Sequence, residues 1–292
     1  MASTRQLKGR IRSVKSTRQI TKAMELVAAS KMRRAQDSAK ATDPYSTIAH
    51  ELLTRLAQDG VTKIHPLYQT RQKVKTRLLI IVTSNRGLAG AYNSNILKEY
   101  ISRLTQDDNN NVATSVIAIG NKGAQLATRL KNDHVVAVYN DLLDNPTGPS
   151  LKAVTQLIIS QFINQEIDQV EVIYTEYVNS MTQTVITKTL LPAGFTPSET
   201  VEQSILEASF EPSSDEVLEA ATIRLIEAQL FQAILDSIAS EHSMRMLAMK
   251  NATDNANNLV DDLTLEMNKV RQASITQELA EISGGVEAMK EI

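Results

Sequence analysis

Apolar residues toward the end of the chain recur in alternating steps of three and four. From Leu218 the steps land on Ala221, Leu225, Ala228, Gln232, Leu235, Ala239, His242, Met246, Met249, Thr253, Ala256, Val260, Leu263, Met267 and Val270. That is a heptad seam. Neither glycine nor proline interrupts Ser213 to Ser283, and Ser213, Ser214 and Asp215 are candidates to cap the start. The spacing predicts one helix of about 70 residues, roughly 105 Å long at ~1.5 Å per residue. Such a rod exceeds any compact domain, so it requires a partner helix or another molecule.

Residues 3–58 predict a second long helix, with Leu7, Ile11, Val14, Thr21, Met24, Ala28, Met32, Ala35 and Ala39 on one stripe. Pro44 predicts a bend, or a restart capped by Asp43, because it lacks a backbone donor and crowds the preceding turn. Gly60 is expected to close the helix. The two rods lie at opposite ends of one chain and both join the same middle region, so they are expected to pair antiparallel. The C-terminal rod has about 20 more residues, so its tip should project ~25 to 30 Å past the N-terminus. The apolar stripe changes phase there, passing from Val270 and Ser274 to Ile275, Leu279, Ile282 and Val286. A seam that rotates where its internal partner runs out faces something else.

The middle has a different period. Leu78 to Val82 is a continuous apolar run, as in a strand buried on both faces. It leads through Ser84 to Gly90 into a helix expected from Tyr92 to Leu104. An acidic, asparagine-rich turn from Asp107 to Asn111 precedes a strand at Ala113–Ile119. Gly120 to Gly123 opens a helix reaching Leu130, Val135–Tyr139 is a strand, 142–149 a loop and 150–165 a helix. Repeated strand-turn-helix units indicate a doubly wound parallel sheet, Rossmann-like in plan. Alternation in Val170–Val178 and Thr182–Leu191, with Asn179-Ser180 between them, adds an antiparallel hairpin at the edge. The expected class is therefore α/β, a long antiparallel coiled coil plus a central doubly wound domain. The segments are 1–59 (first rod), 60–76 (connector), 77–193 (α/β domain), 194–212 (linker or foot) and 213–292 (second rod).

Composition narrows the possibilities. The chain has 292 residues, is 42% apolar, and contains no tryptophan and no cysteine, which excludes disulfides, thiolate metal sites and thiol switching. No stretch approaches the ~18 apolar residues of a membrane span. Charge is segregated: residues 1–40 carry eleven Lys/Arg against two acids, and residues 213–292 carry fourteen acids against six bases. Such opposition favours lying side by side, although exposed pairs contribute only ~0 to 1 kcal/mol each.

Candidate chemistry is sparse. Ser84–Gly90 sits where a strand feeds a helix, a position suited to phosphate, but it lacks both G-x-G-x-x-G and the Walker ending. Tight-turn geometry is the plainer reading of its glycines and of Gly120 and Gly123. His50, His65, His134 and His242 are scattered and form no ligand set. His242 reads as a polar seam residue that fixes register together with Gln232. No catalytic constellation is visible, and no cofactor or metal is expected. A basic N-terminal helix could meet nucleic acid, but it lacks stacking aromatics and an acidic helix is available beside it.

Four stretches carry a resemblance. Ile20-Thr-Lys-Ala-Met-Glu-Leu-Val-Ala-Ala-Ser-Lys-Met-Arg-Arg34, Ser84-Asn-Arg-Gly-Leu-Ala-Gly90, Met246-Leu-Ala-Met-Lys-Asn-Ala-Thr-Asp-Asn255 and Arg271-Gln-Ala-Ser-Ile-Thr-Gln-Glu-Leu-Ala-Glu-Ile282 closely resemble the gamma subunits of F-type, proton-transporting ATP synthases, bacterial type. The family commonly has Asp at the position of Asn85 and often Cys at that of Ala89; the cysteine insert of chloroplast forms is missing. The resemblance implies a non-catalytic central-stalk rotor, in single copy, whose paired helices turn inside a ring of alpha and beta subunits. Its globular part would rest with epsilon on the c-subunit ring, peripheral to the cytoplasmic face of the bacterial plasma membrane. By motif, Met24, Arg245, Gln272, Thr276 and Glu278 correspond to coupling or ring-contact positions. Arg33 and Arg34 would meet acidic loops of beta, and Ala208 to Pro212, including Phe210 and Glu211, resembles the foot on the c ring. The rival readings are a nucleotide-binding α/β enzyme using the central domain and a static coiled-coil scaffold.

Overall fold

The computed structural model describes residues 4–58, 65–71, 73–130, 134–144, 146, 149–194, 211 and 213–290. Gly60 and Phe210, to which the sequence assigned a helix stop and a foot, lie outside these residues. The elements are α1 (Thr4–Gln58), β1 (Thr76–Val82), α2 (Tyr92–Asn109), β2 (Ala113–Ile119), α3 (Asn121–Ala127), β3 (His134–Tyr139), α4 (Pro149–Ile163), β4 (Gln169–Tyr177), β5 (Gln183–Leu191) and α5 (Ser214–Lys290). Contacts divide the chain into two units, Met1–Ala28 with Met246–Ile292, and Ala29–Arg245.

The first unit is a two-helix coiled coil. Leu7, Ile11, Val260 and Leu263 form its buried cluster, flanked by Val14, Met267 and Val270. Direction and register come from two polar contacts: Arg18 Nη1 donates to Asn257 Oδ1 at 3.1 Å, and the hydroxyls of Thr21 and Thr253 lie 2.7 Å apart. Position 18 faces 257 and 21 faces 253, so the strands of the coil are antiparallel, as the sequence predicts. A double-mutant cycle through Thr21→Val and Thr253→Val should return a coupling of about 1 kcal/mol in thermal unfolding, because each single variant leaves one hydroxyl facing methyls. Additive effects would mean that each hydroxyl serves only its own helix, where Thr253 also donates to the Met249 carbonyl at 2.8 Å.

The second unit is built on a five-stranded sheet of order β3-β2-β1-β4-β5. β1 pairs parallel with β2 and β4, β2 pairs parallel with β3, and β4 and β5 form the antiparallel edge. Alternate residues of β1, buried from Arg77 to Val82, feed opposite faces. Leu78, Ile80 and Val82 meet α4 through Val154, Ile158 and Phe162, and α5 through Ile226, Leu230 and Ile234. Leu79 and Ile81 meet α2 and α3 through Tyr92, Ile96, Tyr100 and Ala124.

Two expectations change. α1 carries on through Pro44 with no restart; one missing donor removes a single rung from a 55-residue ladder. α2 continues to Asn109, and Asp107 is buried, not part of a solvated turn. It pairs with Arg77 of β1 and accepts from Thr114 at 3.2 Å, while Arg103 holds Glu171 beside them at 2.5 Å. A buried carboxylate is tolerated because cations and a hydroxyl surround it. α5 runs from Ser214 to Lys290. Ser213 caps it as expected, its Oγ accepting the Glu216 amide at 3.2 Å.

Candidate functional site: the exposed tip and the arginine-held turn

In the first unit the register places Thr4 opposite about Val270, so α5 outruns the described start of α1 by roughly 30 Å. Beyond that point the burial ends. Every residue from Arg271 to Ser283 is exposed. Ile275, Leu279 and Ile282, 49%, 62% and 65% exposed, share one stripe at steps of four and three. Gln272, Thr276 and Glu278 lie on the same bare stretch, and Thr276 satisfies its hydroxyl on the Gln272 carbonyl at 2.9 Å. Nearer the middle of the coil Met24 is half-buried, in the stripe between Thr21 and Ala28. The outside of this unit is also apolar, with Ile20, Leu26, Val27 and Leu265 about 60% exposed. Sequence patterning missed that outer face, because four apolar residues off the heptad positions look like noise without a register.

In the second unit Arg33 and Arg34 are exposed on α1, and Glu211 is exposed ahead of α5. Arg245 differs, being buried at 8% exposure. Its Nη1 donates to Glu241 Oε1 at 2.6 Å and lies 3.0 Å from His242 Nδ1, and its Nη2 donates to the carbonyls of Arg86 and Gly87 at 3.3 and 3.2 Å. Burial pushes the Glu241 carboxyl up, opposed by Arg245. Burial, then the cations Arg245 and Lys31, hold His242 down at about 4. His242 is therefore a neutral neighbour of Arg245. Gln232, its expected companion in setting register, donates to Asp236 on its own helix at 3.2 Å.

The end of β1 has the position of a phosphate site but is filled by the chain itself. The first three amides of α3 are occupied: Asn121 by Asn85 Oδ1 at 3.2 Å, Lys122 by the Ser84 carbonyl at 3.1 Å, and Gly123 by Thr83 Oγ1 at 2.8 Å. Gly120 and Gly123 serve close packing, since a Cβ on either would lie within 3 Å of Thr83 atoms. The donors that would cradle an anion are spent on the turn that follows β1.

A family model described as ATP synthase matches residues 3–289. The ATP synthase gamma chain of Roseiflexus castenholzii (strain DSM 13941 / HLO8) is 42% identical over 293 residues, covering 100% of both chains. The chain belongs to the ATP synthase gamma chain family. The gamma chain of Coxiella burnetii (strain CbuG_Q212) is 38% identical over 99% of this chain and 100% of its own. Among solved structures, a chain of the Euglena gracilis mitochondrial ATP synthase (OSCP/F1/c-ring, rotational state 3) gives a TM-score of 0.69 at 20% identity, covering 98% of this chain and 94% of that one. A chain from the Tetrahymena thermophila mitochondrial ATP synthase central stalk and c-ring gives 0.60 at 24%, covering 80% and 99%. At those identities the likeness is one of fold.

As a gamma chain, the protein is a non-catalytic subunit, in keeping with a sequence that offers no catalytic constellation. The His242 cluster still makes a pH prediction. The folded pKa of about 4 lies below the ordinary value near 6.5, so the unfolded chain takes up a proton that the folded chain refuses. Stability from this residue is complete above pH ~6.5 and lost as pH falls toward 4, by up to about 3 kcal/mol. Glu241, raised, works in the opposite sense: its share is present in acid and lost as pH rises through its folded pKa. Comparing the parent with His242→Gln removes the first slope alone. As pH drops from 6.5 to 4 the parent should lose unfolding free energy relative to the variant; parallel curves would place His242 in water.

Proposed function

We propose that this chain is the rotating central-stalk shaft of an F-type ATP synthase, coupling transmembrane proton flow to conformational change at catalytic sites that lie on other subunits. The observation that carries the reading is the tip: some twenty residues of α5 stand beyond their partner with an isoleucine-leucine stripe facing water. Exposed apolar stripes of this kind mark interaction surfaces, and the same unit also exposes Ile20, Leu26, Val27 and Leu265. Its sleeve is the ring of alpha and beta subunits, in which a single copy of the chain turns. Gln272, Thr276 and Glu278 are its rotor-stator contacts at the tip, and Met24 acts within the coil. Arg33 and Arg34, exposed on α1, reach acidic loops of beta. Residues 194–212, with Phe210 and Glu211, form the foot on the c-subunit ring beside epsilon.

The same reading takes residues 77–193 as a Rossmann-like domain that has lost its ligand crevice; the sheet order and the helices on both faces support it. The protein sits peripherally at the cytoplasmic face of a bacterial plasma membrane. Its bacterial relatives, and the lack among the described residues of a helix long and apolar enough to cross a bilayer, are in keeping with that.

The test replaces Ile275, Leu279 and Ile282 together by glutamine in the assembled complex reconstituted in vesicles. Protons pumped per ATP hydrolysed should fall roughly twofold or more, since the stripe loses its seat in the sleeve. An unchanged ratio would mean that the tip stripe is idle.

A further inference from the structure

The turn after β1 is wired from four directions. Ser84 Oγ donates to the Arg86 carbonyl at 2.6 Å. The Asn85 side chain donates to the Asn140 carbonyl at 2.9 Å and accepts the Asn121 amide at 3.2 Å, tying the turn to the end of β3 and the start of α3. Asn93 of α2 accepts the Ser84 amide at 3.1 Å. From α5, Arg245 adds two bonds to consecutive carbonyls, Arg86 and Gly87. What the turn shows to solvent is Arg86, Gly87 and Leu88, the last 65% exposed and at φ 63. A leucine rarely holds that conformation in water; it persists where the surrounding structure over-determines the backbone.

Arg245 cannot at once serve that turn and reach outward. It is buried, and both terminal nitrogens are spent inside the chain, one on Glu241 and one on the two carbonyls. We propose that Arg245 is a positioning residue, a strut that ties the turn Asn85–Leu88 to α5 so that the exposed Arg86 and Leu88 move with the helix instead of lagging behind it. The strut rests on the shaft reading above, and it replaces the direct ring contact that motif alone assigns to Arg245. Its chemistry demands arginine: a planar guanidinium spans a carboxylate on one side and two carbonyls on the other, which a lysine ammonium on a single stem does not. Glu241, one turn earlier on α5, orients the fork, and neutral His242 leaves the cation unopposed.

The experiment exploits two facts. The chain has no cysteine, and a Cβ added at Gly87 meets no atom within 4 Å. Gly87→Cys in the full-length chain, spin-labelled and then assembled with partner subunits stripped of their cysteines, reports the turn alone. With Arg245 present the label should be immobilised and pumping per ATP normal. Arg245→Lys keeps the charge beside Glu241, so the chain folds; it should show loss of part of the immobilised component. Arg245→Ala should lose it entirely, with pumping per ATP down roughly twofold or more. A label that stays immobilised in both variants overturns the strut, as does a mobile label with unchanged pumping. If either result appears while glutamines at Ile275, Leu279 and Ile282 still impair pumping, the shaft stands and only the strut falls.

Discussion

A chain carrying Gly120→Ala is expected not to fold its sheet unit. Gly120 joins β2 to α3 at φ 95 and ψ 146, a region open in practice to glycine alone. A Cβ there would lie 2.1 Å from the Thr83 carbonyl oxygen and 2.7 Å from its carbon. Both are backbone atoms of the segment that leaves β1, and that segment is fixed by the Thr83 amide donating to the Ile119 carbonyl at 2.8 Å. No rotamer can relieve the overlap, so the strand end or the helix start must move. The combined cost should exceed about 4 kcal/mol, a large share of the stability of an ordinary domain. Gly123→Ala should cost less, because one of the atoms it meets, Ile81 Cδ1 at 2.8 Å, is the end of a flexible side chain. Gly87→Ala should fall within ~0.5 kcal/mol of the parent. Soluble yield and circular dichroism melting of the three variants check the order. A Gly120→Ala chain that melts within a few degrees of the parent would mean that the strand end is softer than its hydrogen bonds imply.

That glycine also shows what could and could not be read beforehand. Gly120 and Gly123 are visible in the sequence as a turn, but their contact with Thr83, 37 and 40 residues away, exists only once β1 and β2 pair in parallel. The seams of α1 and α5 were legible because helical period is a local property, and the change of phase after Val270 marked the end of the internal partner without coordinates. The base of α5 was harder. Read as a single seam, it is in fact buried over much of its girth, with Ser237, Ser240 and Ser243 all fully buried. Their hydroxyls meet the β4–β5 hairpin: Ser237 Oγ accepts the Thr175 amide at 3.3 Å, while Ser240 and Ser243 donate to the Thr175 and Ser180 carbonyls at 3.2 and 2.9 Å. Serines at steps of three look like surface in a sequence, since their partners come from another element. Asp107 was hidden for the same reason: a run of Asp and Asn reads as solvent until Arg77 is placed beneath it. Arg245 could be picked out by motif, but its acceptors, 158 and 159 residues away, could not.

The second large effect concerns motion. If the chain turns inside its ring, a covalent link between the two must arrest the cycle, because each catalytic site waits on the shaft for its next conformation. A scaffold that never turns would feel nothing. The absence of cysteine makes the experiment clean, since Arg33→Cys supplies the chain's single thiol on an exposed position of α1. Its partner is a cysteine introduced into the acidic loop of beta that the proposed reading sets against Arg33, in a complex otherwise free of thiols. The deciding measurement is steady-state ATP hydrolysis by that complex before oxidation, after oxidation and after reduction. Turnover should drop more than about tenfold in the linked complex and return once the disulfide is reduced. Equal turnover in the linked and reduced states would contradict a rotating shaft.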